Sequence, residues 1–331
     1  MNGFGSPIAS PVPPFAPMGP SQALDRIWKI FRWQIRLLLQ LGLIPAAAML
    51  LMYVIMFGGL FAMGILPPHQ GGPAELQRFP WYLFLAFFLA YLPVLLAFAM
   101  YEAAACSVAI ASSRGETTSF RGAYGTAWKN VGRVIWLLVL RWVCIAGPIL
   151  AVLGTMGGGV ALLSLAKGTN PNPGILFVFF LFLILAYLGG IVYAVWMMLR
   201  LGLALSACLA EDLTATQALR RSAQLTRGAK GRMFLVMLLV YAVVAATFLV
   251  LELVGMTVFA IVALIASAFH IQLQQVGTEV LLGIPAVAAV AAFLLMVTLS
   301  WASYVIAFSV LYDDQRLRLE GARQQASGGP A

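Results

Sequence analysis

Charged side chains are scarce in this 331-residue chain: Asp, Glu, Lys and Arg together supply 9% of it, against about 25% in an ordinary soluble domain. So few polar groups could not cover a soluble fold of this size. At the same time, 62% hydrophobic residues exclude disorder over most of the length. Histidine is rarer still. His69 and His270 stand far apart and outside any HExxH arrangement. The three cysteines, Cys106, Cys144 and Cys208, lie in or beside apolar stretches. They make neither a zinc-ligand spacing nor an even disulfide set, and read as small buried hydrophobes. Also missing are a G-x-S-x-G elbow, a phosphate-binding glycine loop and a dinucleotide fingerprint. Asp313 and Asp314 fall at a helix end beside water, so an intramembrane carboxylate dyad is not expected there. These absences argue against an enzyme and point to no metal and no cofactor.

Long apolar runs are what the chain has in excess. A bilayer core needs about 20 apolar residues in a helix, and six runs meet that length: roughly 38–64, 81–110, 133–156, 174–200, 233–262 and 283–312. They are too long and too continuous for barrel strands. The expected fold is therefore all-α, a polytopic membrane protein of six transmembrane helices. The net charge of +9 then reads as a topology signal, with no nucleic acid implied. Lys and Arg crowd the approach to the first span, the second-to-third and fourth-to-fifth connections and the C-terminal tail, leaving only Arg78 and Lys167 opposite. The positive-inside bias places both termini in the cytoplasm. Residues 1–20 carry six prolines and no positive start, which reads as a disordered cytoplasmic tail with no signal peptide. Residues 322–331 read as a second disordered tail.

The cytoplasmic connections carry helical patterns of their own. Over 21–36, capped by Ser21, Leu24, Ile27, Trp28, Phe31 and Ile35 share one face, with Asp25, Arg26, Lys29, Arg32 and Arg36 on the other. That is an amphipathic helix suited to the interface, preceding a membrane domain over 37–321. A second such helix is expected over about 119–130, starting at Ser119. A third covers about 214–227, starting at Thr214 or Thr216, with Arg220 and Arg221 outward and Gly228 closing it. Each precedes one outgoing and one returning span. The layout is three parallel repeats of interfacial elbow plus hairpin.

Ionisable residues inside spans are candidates for function, since each costs roughly 2.5–3.5 kcal/mol at the bilayer centre. Glu102 and Arg141 fall at similar depth on the second and third spans. Their pairing is expected either to fix helix packing or to line a polar cavity. Glu252 lies near the outer end of the fifth span, close enough to reach the interface. Pro45, Pro93 and Pro148 lie inside spans, where each removes a backbone hydrogen bond and can bend its helix. Gly154 and Gly158 make a small-xxx-small pair.

The most patterned polar stretch is Tyr312-Asp-Asp-Gln-Arg-Leu-Arg-Leu-Glu-Gly321. Asp314 with Arg318, and Arg316 with Glu320, are spaced to pair along a helix that Gly321 would stop. The arginines could also hold anionic lipid headgroups. With Leu311 this stretch resembles the closing "Y-Y-D-L-R-x-R-x-E-G" pattern of the glycerophosphoryl diester phosphodiesterase membrane-domain family and its stand-alone bacterial relatives. Leu209-Ala-Glu-Asp, followed by Gln217-Ala-Leu-Arg-Arg-Ser222-Ala-Gln-Leu-Thr-Arg-Gly228, is similar to that family's "E…A-L-x-R-S-x-x-L-T-K-G" connection. The resemblance lands on Glu211, Ala218, Ser222, Leu225, Gly228, Tyr312, Asp314, Arg316, Arg318, Glu320 and Gly321. Asp313 stands where that family has a second tyrosine, and Gln315 where it has leucine. The resemblance implies six spans from about Ser21 to Gly321. It carries no phosphodiesterase activity to a chain with no catalytic segment after the motif.

Two functions follow as expectations. The first is a non-enzymatic scaffold or accessory subunit of the bacterial inner membrane, with a basic cytoplasmic docking face for a protein partner and for anionic headgroups. Glu211 would pair with an arginine of its own elbow to hold that face. The alternative is a transporter or lipid-handling protein with a cavity near Glu102 and Arg141.

Overall fold

The structure is a computed structural model that describes residues 18–62, 81–165, 173–268 and 278–326. Those residues form nine helices and no strand: α1 (Pro20–Ala62), α2 (Trp81–Ser113), α3 (Phe120–Lys129), α4 (Val131–Leu165), α5 (Pro173–Leu201), α6 (Ala204–Ala210), α7 (Ala215–Leu225), α8 (Lys230–Ala268) and α9 (Thr278–Ala326). Six of them, α1, α2, α4, α5, α8 and α9, are long and apolar enough to cross a membrane. Their side chains demand one. Phe177 is 69% exposed and Phe182 63% on α5 alone, a bare apolar face that water would not tolerate. The chain is a polytopic helical membrane protein. His69, His270, Arg78 and Lys167 lie outside the described residues, as do positions 1–17 and 327–331.

Two expected boundaries are corrected. The first is the separate interfacial helix over 21–36. It merges with the first span, because nothing between Arg36 and Leu38 breaks a helix. Its cap is Gly19 rather than Ser21: Ala23 N–H donates to Gly19 O (3.0 Å), and Gly19 N–H donates to Gln22 Oε1 (2.9 Å). Pro20 then takes the first helical position, where its missing N–H costs nothing. The buried stripe also differs, running Ala23, Arg26, Ile27, Ile30, Gln34, Leu38 and Leu41, while Trp28 and Ile35 face outward. Arg26 thus lies on the packed side, not the solvated one. The second correction is at Gly321. α9 runs through it to Ala326, since one glycine ahead of Ala-Arg-Gln-Gln-Ala costs only about 1 kcal/mol of helix propensity.

Short helices, α3 and α7, occupy the positions expected for the second and third elbows. Ser119 Oγ accepts from Gly122 N–H (3.2 Å) at the start of α3, and Ala123 and Ala127 are its buried face. Thr214 precedes α7, its N–H donating to Gln217 Oε1 (3.1 Å).

The chain divides into two compact units. The first holds α1–α3, most of α8 and α9 up to Val310. Here Met100–Cys106 of α2 is buried almost continuously, and small residues let its neighbours come close. A Cβ added to Gly42 on α1 would lie 2.9 Å from Thr298 Oγ1 on α9. Tyr101 OH donates to Thr298 O (2.7 Å), tying α2 into the same contact. The second unit, residues 130–234 and 311–331, holds α4–α7, the start of α8 and the end of α9.

Each in-span proline leaves a carbonyl four residues back without its helical donor. The helices nonetheless continue through Pro45, Pro93 and Pro148. In two cases a tyrosine from another helix supplies the missing donor. Tyr124 OH, on α3, donates to Leu41 O (2.8 Å) behind Pro45 in the first unit. Tyr193 OH, on α5, donates to Cys144 O (2.9 Å) behind Pro148 in the second. Burial pushes the Tyr124 phenol up to about 12, which keeps it a donor.

Candidate functional site

The polar residues of the second unit gather at one end, where α5 stops, α6 and α7 turn, α8 starts and α9 finishes. α6 ends at Glu211, whose N–H donates to Ala207 O (3.0 Å). Asp212 then adopts a left-handed backbone (φ 51°), a conformation aspartate tolerates better than most residues. The chain re-enters a helix at α7. Ala215, Ala218, Ser222 and Leu225 form its buried face, at helical spacing. Ser222 Oγ donates to Arg200 O (2.8 Å), one of the carbonyls that the end of α5 leaves without an intrahelical donor. Gly228, at φ +78°, supplies the turn into α8.

Glu211 is the hub. It accepts a two-pronged contact from Arg221 Nε and Nη2 (3.1–3.2 Å) and a hydrogen bond from Tyr312 OH (2.7 Å). Arg221 therefore folds back onto its elbow rather than pointing outward, while Arg220 stays exposed. Burial pushes the Glu211 carboxyl up. The Tyr312 and Arg221 hydrogen bonds outweigh that and hold it below the ordinary glutamate value. Tyr312 is fully buried.

Asp314 is a second hub. Its carboxylate is almost fully buried and pairs with Arg232 from α8 and with Arg318 one turn on (3.2 Å). Arg316 pairs with Glu320 (2.8 Å), and Arg133 with Asp212. Both i,i+4 pairs expected along the tail are present. The arrangement gathers Glu211, Ser222, Tyr312, Asp314, Arg316, Arg318 and Glu320, with Ala218 and Leu225 beneath and Gly228 at the turn. Gly321 sits within α9 and shapes no turn.

Arg232 escaped the sequence reading. It is separated from Asp314 by 82 positions, and no local spacing signals such a pair. Asp212 with Arg133 escaped for the same reason. Chemically, the carboxylates Glu211, Asp212, Asp314 and Glu320 are each committed to arginine. Among the described residues no cluster of three potential metal ligands occurs. Arg220 and Arg227 are exposed and make no ion pair among the described residues.

The intramembrane candidates lie elsewhere. Glu102 is buried on α2 of the first unit, whereas Arg141 is half-buried on α4 of the second. Glu252 is exposed on α8. Among the described residues, one cleft of about 380 Å³ lies beside Trp28, Phe31 and Val240 in the first unit, and another of about 270 Å³ lies between α4 and α5 in the second. Neither is lined by Glu102 or Arg141.

Compared with protein-family models, curated proteins and solved structures, the chain finds no match in any of the three.

Proposed function

We propose that this protein is a non-enzymatic scaffold or accessory subunit of the bacterial inner membrane, with both termini in the cytoplasm and a basic cytoplasmic docking face. One observation carries the reading. At the arginine-rich end of the second unit Glu211, Asp212, Asp314 and Glu320 each pair with an arginine other than Arg220 and Arg227, and those two exposed arginines make no ion pair among the described residues. A helix fixed by Ser222, Leu225 and Glu211, with the turn that follows it, presents those arginines in a constant geometry. That favours recognition of an acidic protein surface over a passive topology signal. The positive-inside bias supports the cytoplasmic placement. Sixteen arginines against four lysines fit a bacterial chain.

The motifs that resemble the glycerophosphodiesterase membrane-domain family supply both hubs of this network, which supports a shared architecture. The test is reversal of charge at Arg220 and Arg227, each to Glu, in chain expressed at native level. A scaffold loses its protein partner while the six-span fold and its melting transition persist. Retention of the partner after reversal overturns the docking face.

A further inference from the structure

Besides Arg220 and Arg227, two further cations at this end, Arg200 and Lys230, stand outside the carboxylate pairs, and both converge on one ring. Arg200 Cζ lies 5.3 Å and Lys230 Nζ 4.7 Å from the Trp196 ring centroid. Neither cation makes an ion pair among the described residues. An indole attracts each of them, but two like charges brought to one ring repel unless an anion joins them. Trp196 is exposed near the end of α5, where the basic residues begin, the level at which tryptophan meets lipid headgroups. At that level the abundant anion is a lipid phosphate.

The apolar half of a lipid has a place as well. One turn back on α5 the Tyr193 ring lies 6.3 Å from Trp196 and lines the α4–α5 cleft with Ile149, Val152, Tyr187 and Gly190. A Cβ on Gly190 would meet Ile149 Cγ1 at 3.4 Å, so a larger side chain there fills the cleft. From Tyr187 to Arg200 the helix rises about 20 Å, the reach from a phosphate down most of an acyl chain. We infer that Trp196, Arg200 and Lys230 hold the phosphate of an anionic phospholipid whose acyl chain lies in the cleft between α4 and α5. A zwitterionic lipid would bring its own cation against Arg200 and Lys230, which sets the preference for a net negative headgroup. This site requires only that the chain spans a membrane and does not depend on the scaffold reading.

Native mass spectrometry of the full chain, released from nanodiscs of equal phosphatidylglycerol and phosphatidylcholine, reads the occupancy. The expected result is one phosphatidylglycerol retained per chain, with affinity falling roughly tenfold in Arg200→Gln/Lys230→Gln. Lys230→Gln alone, at the partly exposed start of α8, moves the same way by less and guards against a folding defect in the double variant. Gly190→Leu weakens retention with both charges intact. Arg32→Gln/Arg36→Gln, which removes two exposed cations from α1, leaves retention unchanged. Equal retention of phosphatidylcholine, equal loss in the α1 variant, or displacement of the lipid by millimolar inorganic phosphate would each overturn the site.

Discussion

Tyr193 and Pro148 provide the sharpest energetic test of the fold. Pro148 cannot donate to Cys144 O, and Tyr193 OH does so instead at 2.9 Å from α5. Tyr193→Phe removes that donor and leaves a carbonyl unpaired in a low-dielectric setting, a loss of about 1–2 kcal/mol. In a Pro148→Ala background the alanine N–H can serve Cys144 O, so the same Tyr193→Phe change should cost only a few tenths of a kcal/mol. The coupling from the double-mutant cycle is then about 1 kcal/mol. Reversible unfolding in mixed micelles, followed by far-UV circular dichroism, measures all four corners. An identical cost of Tyr193→Phe in both backgrounds would refute the reasoning, because the hydroxyl would then be acting independently of the proline. Tyr124 and Pro45 should behave the same way through Leu41 O.

Three further outcomes follow from other parts of the structure. The Glu211 carboxyl is held below its ordinary value, so its contribution is fully present above pH about 4.3 and is lost as pH falls through the depressed folded value. Glu211→Gln should flatten the acid limb of a stability–pH profile and cost about 1–3 kcal/mol at pH 7; an unchanged acid limb would contradict the hub. Gly42→Ala sets a methyl group 2.9 Å from Thr298 Oγ1 and should destabilise by about 1–3 kcal/mol, partly recovered by Thr298→Ala, as chemical denaturation would show. Gly321→Ala should be neutral or stabilising by up to about 1 kcal/mol because α9 continues through it; a clear loss in thermal melting would restore the helix-stop reading.

Much of the architecture was legible because bilayer thickness imposes itself on sequence. Six apolar runs became six long helices, and Ser119, Thr214 and Gly228 marked the elbows through capping chemistry. What failed were boundaries with no physical obstacle behind them. The run from Trp33 to Gly42 offers nothing to end a helix, so polarity changes there while the backbone does not. Ser21 looked like a cap, yet Gly19 followed by Pro20 performs that role more cheaply. The site was half legible. Asp314 with Arg318 and Arg316 with Glu320 lie on one helix and announce themselves by spacing. Tyr312 with Glu211 is separated by 101 positions, a contact set by tertiary packing that periodicity does not encode. The prolines were visible in the sequence, but the tyrosines that satisfy their carbonyls were not.

The docking face itself is tested most directly by photocrosslinking in living cells. A photoreactive amino acid is placed at Gln224, exposed on α7 between Arg220 and Arg227, and in a control at Glu252, exposed on α8. The account predicts one stoichiometric protein adduct from position 224, lost when Arg220 and Arg227 are reversed to Glu and absent from position 252. Lipid adducts alone at both positions, or a protein adduct indifferent to the reversal, would contradict it.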